Sequence, residues 1–187
     1  MKKGFTLIEL LIVLSLISIL AGILIVIIRP QEIFRRARDT QRKGDLSNVS
    51  RAIDTYLADM MQLGQTVNWC PENTISWSSP FTSAPSGWPT VPSGFTATGT
   101  NSTNIDGTGW VRYVTLASST LVNLPSLPLD PLNNTVGGVG YFYAFICRTN
   151  VGEYELNAKL EADTNAMQND GGSENSLYEV GPLKNIY

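Results

Sequence analysis

Few side chains in this sequence could do chemistry, and the most telling is Glu9, the single charge inside a long apolar run. A carboxylate in hydrocarbon costs on the order of 3 kcal/mol on insertion scales, so an ionisable residue there is expected to be partnered and functional. No cation lies within helical reach. Lys2 and Lys3 precede Gly4, and Arg29 stands at the far end of the run. The partner of Glu9 is therefore expected from outside the chain. The sequence has no histidine, which removes the commonest general base and metal ligand. Cys70 and Cys147 alone fall short of the usual four-ligand structural zinc site. In an oxidising compartment they are expected to form a disulfide, worth about 4 kcal/mol on the loop-entropy model, with two separate buried thiols as the alternative. Near the carboxyl end Asp163, Asn165, Asn169, Asp170 and Glu174 could supply several of the oxygens that calcium takes. An EF-hand loop starting at Asp163 is rejected, because Met167 and Gln168 stand where a ligand and a glycine belong. The other reading of this stretch is an acidic solvated loop. Carboxylate pairs such as Asp163 and Asp170 are the sole hint of hydrolytic chemistry, with no nucleophile–base pair beside them.

These residues hang on a recognisable set of elements. Residues 10–28 carry no formal charge, and a bilayer core of about 30 Å needs roughly 20 helical residues. A membrane span is the expectation. A cleaved secretory signal would have a shorter apolar region and a small-x-small site, whereas Ile27-Ile28-Arg29-Pro30 follows here. The basic residues are concentrated before residue 46 and the acidic ones after it. The remainder is thus acidic, and a nucleic-acid surface on it is not expected.

Beyond the span, residues 31–63 read as a second helix, in which Leu46, Val49, Ile53, Tyr56 or Leu57, and Met60 form one apolar stripe. Arg51, Asp54 and Asp59 are assigned to its other faces. Pro30 is expected to bend the helix or mark the junction. The basic cluster RRARDTQRK at residues 35–43 reads as a solvated flank that pairs with headgroups or neighbouring subunits, more than as a DNA contact, with Asp39 and Asp45 able to pair with neighbours at i±3 or i±4. Residues 64–110 hold all four tryptophans among Pro, Ser, Thr, Gly and Asn, and read as a long ordered loop region. Those aromatics could cover a core edge or present a glycan-binding surface. Strands are expected at residues 110–116, 140–147 and 153–160, the last two forming a hairpin through Thr149-Asn150-Val151-Gly152. In the third, Tyr154, Leu156, Ala158 and Leu160 are assigned to the core, and Glu153, Glu155, Asn157 and Lys159 to the opposite face. The fold class is α+β: one long amino-terminal helix, half in membrane and half amphipathic, packed on a small antiparallel sheet.

The stretch Lys-Lys-Gly-Phe-Thr-Leu-Ile-Glu-Leu-Leu-Ile-Val resembles the amino-terminal signature of type IV pilins and of the pseudopilins of type II secretion and DNA-uptake machines. The resemblance implies cleavage after Gly4 by a prepilin peptidase, N-methylation of Phe5, and pairing of Glu9 with the terminal amine of a neighbouring subunit during assembly. Leu127-Pro128-Leu129-Asp130-Pro131, Tyr141-Phe142-Tyr143 and Tyr154-Glu155-Leu156 resemble, more weakly, the layout of major pseudopilins, which hold calcium in a carboxy-terminal loop. Relatives carry a proline where Val26 stands here. Any local melting of the helix is accordingly shifted towards Gly22 or Pro30.

The resulting expectation is a pilin-like structural subunit and not an enzyme. Its segments are a leader at 1–4, a filament-core helix at 5–29, an amphipathic half at 30–63 and a head at 64–187. The head divides into a variable loop at 64–110, a sheet at 110–160 and a carboxy-terminal loop at 161–187. Implied partners are copies of itself and related pilins, the peptidase/methyltransferase, an inner-membrane assembly platform and membrane lipid. No cofactor is required, with calcium the one considered. The subunit is expected in the cell membrane with a cytoplasmic amino terminus, and later in an extracytoplasmic filament. The alternative is a signal-anchored glycan- or surface-binding domain.

Overall fold

A computed structural model describes residues 4–186; Lys2 and Lys3, assigned above to the leader, lie outside the described residues. Helix α1, Leu7–Ile28, and helix α2, Pro30–Gln62, are separated by one residue. Arg29 has φ 45° and ψ 71°, a left-handed conformation that caps α1. Pro30 then starts α2 at its first position, where its missing N–H loses no bond. The junction is thus at Arg29-Pro30, and α1 runs unbroken through Gly22.

The expected stripe on α2 is buried: Leu46, Val49, Ile53, Tyr56, Leu57 and Met60 pack with Tyr143, Phe145, Tyr154, Leu156 and Ala158. Asp59 departs from its assigned outer face. It is buried, and its Oδ2 accepts a 2.5 Å hydrogen bond from the Ser119 hydroxyl, which compensates its lost hydration.

The sheet has five strands in the order β2-β1-β5-β6-β7. β5, Tyr143–Cys147, and β6, Tyr154–Ala158, form the expected hairpin, with Tyr143 opposite Ala158 and Cys147 opposite Tyr154. β1, Thr74–Trp77, pairs antiparallel with β5 and parallel with β2, Thr96–Gly99. β7, Tyr178–Val180, closes the other edge. Strands β1, β2 and β7 lie in segments read above as loops. They are three or four residues long and sit among turn formers, too short to show an alternation.

Two strand expectations are corrected. Residues 110–116 form no strand. Trp110, Val111, Val114 and Leu116 are buried, but Tyr113 takes φ 68°, which breaks the alternation of an extended chain. The segment bonds instead to the preceding loop, Trp110 N–H to Ser102 O and Tyr113 N–H to Gly107 O. The run at 140–147 is split. β4, Val139–Tyr141, pairs with β3, Asn134–Val136, in a separate two-stranded ribbon, and β5 begins after Phe142.

A third correction concerns the outer face of β6. Tyr154, Leu156 and Ala158 pack in the core with α2 and Leu160 is buried, as expected, yet Glu155 and Asn157 are fully buried too. The chain after β7 folds back across that face, where the Ile186 N–H donates to Glu155 Oε2 at 3.1 Å. Ile75, Trp77, Ala144, Ile146, Leu177 and Ile186 form a second apolar layer there. All of Trp77, Trp88 and Trp110 are buried, and Trp69 packs edge-on against Phe145 and Tyr154. The tryptophans build the core edge, which removes the aromatic platform that the glycan-binding reading needed.

Candidate assembly site

The amino terminus combines an open backbone with an apolar rod. A Cβ on Gly4 would meet nothing within 4 Å, and Phe5 is 81% exposed. Thr6 is the N-cap of α1, its hydroxyl accepting from the Glu9 N–H at 3.3 Å. Glu9 Oε2 accepts in return from the Thr6 N–H at 3.0 Å and the Thr6 hydroxyl at 2.8 Å. This is a capping box, and the carboxylate also sits favourably at the positive end of the helix dipole. Glu9 therefore has a neutral hydrogen-bond partner within its own chain, beside the cationic partner expected from outside it. The cause is local: Thr6 and Glu9 are three positions apart at a helix start.

From Leu7 to Ile25 the helix is long and apolar enough to cross a membrane. Its 22 residues reach about 33 Å at 1.5 Å each, matching a bilayer core. Leu7, Ile8, Leu10, Leu16 and Ile27 are all more than half exposed, on every side of the rod. Ser15 and Ser18 turn their hydroxyls back to Ile12 O and Leu14 O, so the helix presents few unsatisfied groups to an apolar surround. The apolar helix suggests membrane anchoring.

At the near end of the head, α2 is fixed by a buried ion cluster. Asp39 and Arg42, three apart on one face, pair at 2.9 Å. The Arg42 guanidinium also donates bidentately to Asp130 at 2.6 and 2.9 Å and to Glu161 at 2.7 Å. Burial pulls the Arg42 pKa down, but the bonds and charges of Asp130 and Glu161 outweigh it and hold it above the ordinary value. Burial likewise pushes the Glu161 carboxyl up, and Arg38 and Arg42 hold it below the usual carboxylate range. Asp39 closes the cluster by accepting the N–H groups of Glu161, Ala162 and Asp163. Three of the five basic residues of the flank, Arg38, Arg42 and Lys43, thus pair with acidic groups of their own head, and not with headgroups or neighbouring subunits. The sequence showed the Asp39–Arg42 spacing; the convergence of Asp130 and Glu161 on it is a product of topology.

Cys70 and Cys147 form a disulfide that ties the tryptophan-rich segment to the end of β5. The oxygen-bearing residues of the tail are scattered among other tasks. Asp163 pairs with Lys43 and caps the short helix α3, Thr164–Gln168. Asn169 bonds Asn165. Asp170 accepts from Gly172 and Glu179 N–H, and Glu174 accepts from Ser176 N–H. Among the described residues no group of three or more His, Cys, Asp or Glu side chains is arranged to hold a metal ion. The acidic pair that the sequence did not reveal is Glu155 with Glu179, both fully buried on adjacent strands. Burial and the neighbouring Glu155 charge push Glu179 up to about 8.

An exposed apolar helix joined to an α+β head is the architecture that suggests membrane anchoring. The sequence model of the prokaryotic N-terminal methylation motif matches residues 1–25. Together with the apolar helix, that match supports a type IV pilin/pseudopilin family for this chain. Proteins of that motif family are structural subunits and not enzymes. No curated protein and no solved structure matches the chain.

Proposed function

We propose that this chain is the precursor of a type IV pilus or pseudopilus subunit, cleaved after Gly4, N-methylated at Phe5 and assembled by packing of α1 between subunits. The observation that carries the reading is the methylation motif lying over a helix whose apolar side chains are exposed on all sides. Such a rod is stable in lipid or against copies of itself. Ala21, Gly22, Ser15 and Ser18 allow close helix approach. The peptidase/methyltransferase and the assembly platform are separate proteins in this reading.

Cleavage would turn Phe5 into a cationic terminus, and a shift between subunits would bring that amine beside Glu9 of a neighbour. The own-chain bond to Thr6 sharpens the test. Glu9→Gln can still accept from Thr6 but carries no charge; Glu9→Ala can do neither. In an assembly assay on the native machinery, both variants are expected to insert and be cleaved, and both to lose most filament yield. Normal filaments from Glu9→Gln would show that Glu9 acts as a helix cap and not as the amine's partner. An intact mass ending the leader elsewhere than Gly4 would overturn the processing step.

A further inference from the structure

Six basic side chains lie between residues 29 and 43, and the structure divides them into two sets. Arg38 and Arg42 are bound to Glu161, Asp39 and Asp130, and Lys43 to Asp163. Arg29, Arg35 and Arg36 are exposed. Of these, Arg36 donates to Glu32 at 3.1 Å across one turn, a surface pair with the arginine 73% accessible, and such pairs are worth little. Arg29 is placed by its left-handed backbone between two surface hollows. One is walled by Arg29 and Arg35, the other by Arg29 and Arg36, with Glu32 common to both. Ile33 and Phe34, 53% and 62% exposed, stand between the arginines.

We propose that Arg29, Arg35 and Arg36 form a binding surface for the phosphates of anionic phospholipid headgroups in the leaflet nearest the head. The inference rests on the membrane-anchored reading above. If α1 fills the hydrocarbon core, the junction at Arg29 falls in the headgroup layer, about 33 Å from the start of the helix. Guanidinium groups match phosphate bidentately, and Ile33 and Phe34 can seat at the acyl boundary beside them. The acidic side chains that could have neutralised these arginines from the head are already committed to Arg38, Arg42 and Lys43. A second copy of the chain is the competing occupant. Lipid is favoured because the patch is continuous with the membrane-facing rod.

The test uses the full chain reconstituted in phosphatidylcholine bilayers containing spin-labelled phosphatidylglycerol or spin-labelled phosphatidylcholine as the probe lipid. The wild type is expected to hold phosphatidylglycerol about fivefold more strongly than phosphatidylcholine, less at high salt. Arg29→Gln/Arg35→Gln/Arg36→Gln is expected to abolish the preference, and Arg51→Gln, on the exposed middle of α2, to retain it. Equal retention of the two lipids by the wild type, or a preference surviving in the triple variant, would overturn the proposal. So would arginine-dependent crosslinking of two chains without lipid preference, which would assign the patch to a second copy. A chain that fails to enter the bilayer at all would instead refute the anchoring reading.

Discussion

At the residue scale the controlling group of the head is Arg42. It is fully buried among Asp39, Asp130 and Glu161, and its ring neighbour Tyr141 lies 4.9 Å away. Removing one partner from a buried ionic group leaves the others unpaired, typically at a cost of about 3–5 kcal/mol. Arg42→Met is expected to lower head stability by that order in denaturant titration, while Arg36→Met, at the exposed Glu32 pair, is expected to change it by less than about 0.5 kcal/mol. Similar losses from both would deny the cluster its part in fixing α2. The pair Glu155 and Glu179 makes the opposite kind of prediction. Their folded pKa values are raised, so the folded head binds more protons than the unfolded chain between the ordinary carboxylate value and about 8. Stability is full below the ordinary value and falls as pH rises through that window. Replacing Glu179 by Gln should flatten the slope between pH 5 and 8.5 and stabilise the head at the upper end; an unchanged slope would locate the linkage elsewhere. Neither cluster was readable from sequence. Asp39 and Arg42 show their spacing, but their other partners are some ninety to one hundred and twenty residues away, and Glu155 looked solvent-facing because alternation does not reveal what later chain covers a face.

At the element scale, legibility followed length. α1 and β5 are continuous apolar runs, and α2 and β6 carry periodic patterns over enough residues to be recognised, whereas β1, β2 and β7 are too short and lie among Ser, Thr, Gly and Pro. Residues 110–116 alternate yet form no strand, because Tyr113 adopts a positive φ and the segment pairs with the loop before it. The tryptophan-rich stretch was read as ordered, and the disulfide explains part of how so irregular a segment holds its place. Linking Cys70 to Cys147 closes a loop of 77 positions, for which chain entropy gives about 4 kcal/mol. Cys70→Ser/Cys147→Ser is expected to lose stability of that order while keeping α2 and the β5–β6 hairpin folded. Hydrogen exchange would show this as faster exchange confined to β1, β2 and their connection. Uniform acceleration across the head would mean that the segment is not a separable unit.

At the scale of the whole molecule, the chain joins a rod with almost no core of its own to a head with two apolar layers. The rod was the most legible part of the sequence, since its composition is extreme and its motif is local. The second layer, beneath the folded-back tail, was hidden. This division predicts independence. The apolar core is built from residues of α2, the sheet and the connecting segments, beginning at Leu46, and the described side chains of α1 are exposed. Deleting residues 1–28 should therefore remove surface and not core. Pro30, already at the first helical position, is a suitable start for the shortened α2. The truncated chain is expected to be a soluble monomer by light scattering. Its thermal midpoint should lie within a few degrees of the full chain's in detergent, since a shift of that size corresponds to less than about 1 kcal/mol for a domain of this length. It should also fail to join filaments, because the helix that packs between subunits is gone. Aggregation or a large drop in the midpoint would show that α1 supports the head, and the rod-and-head division would then fail.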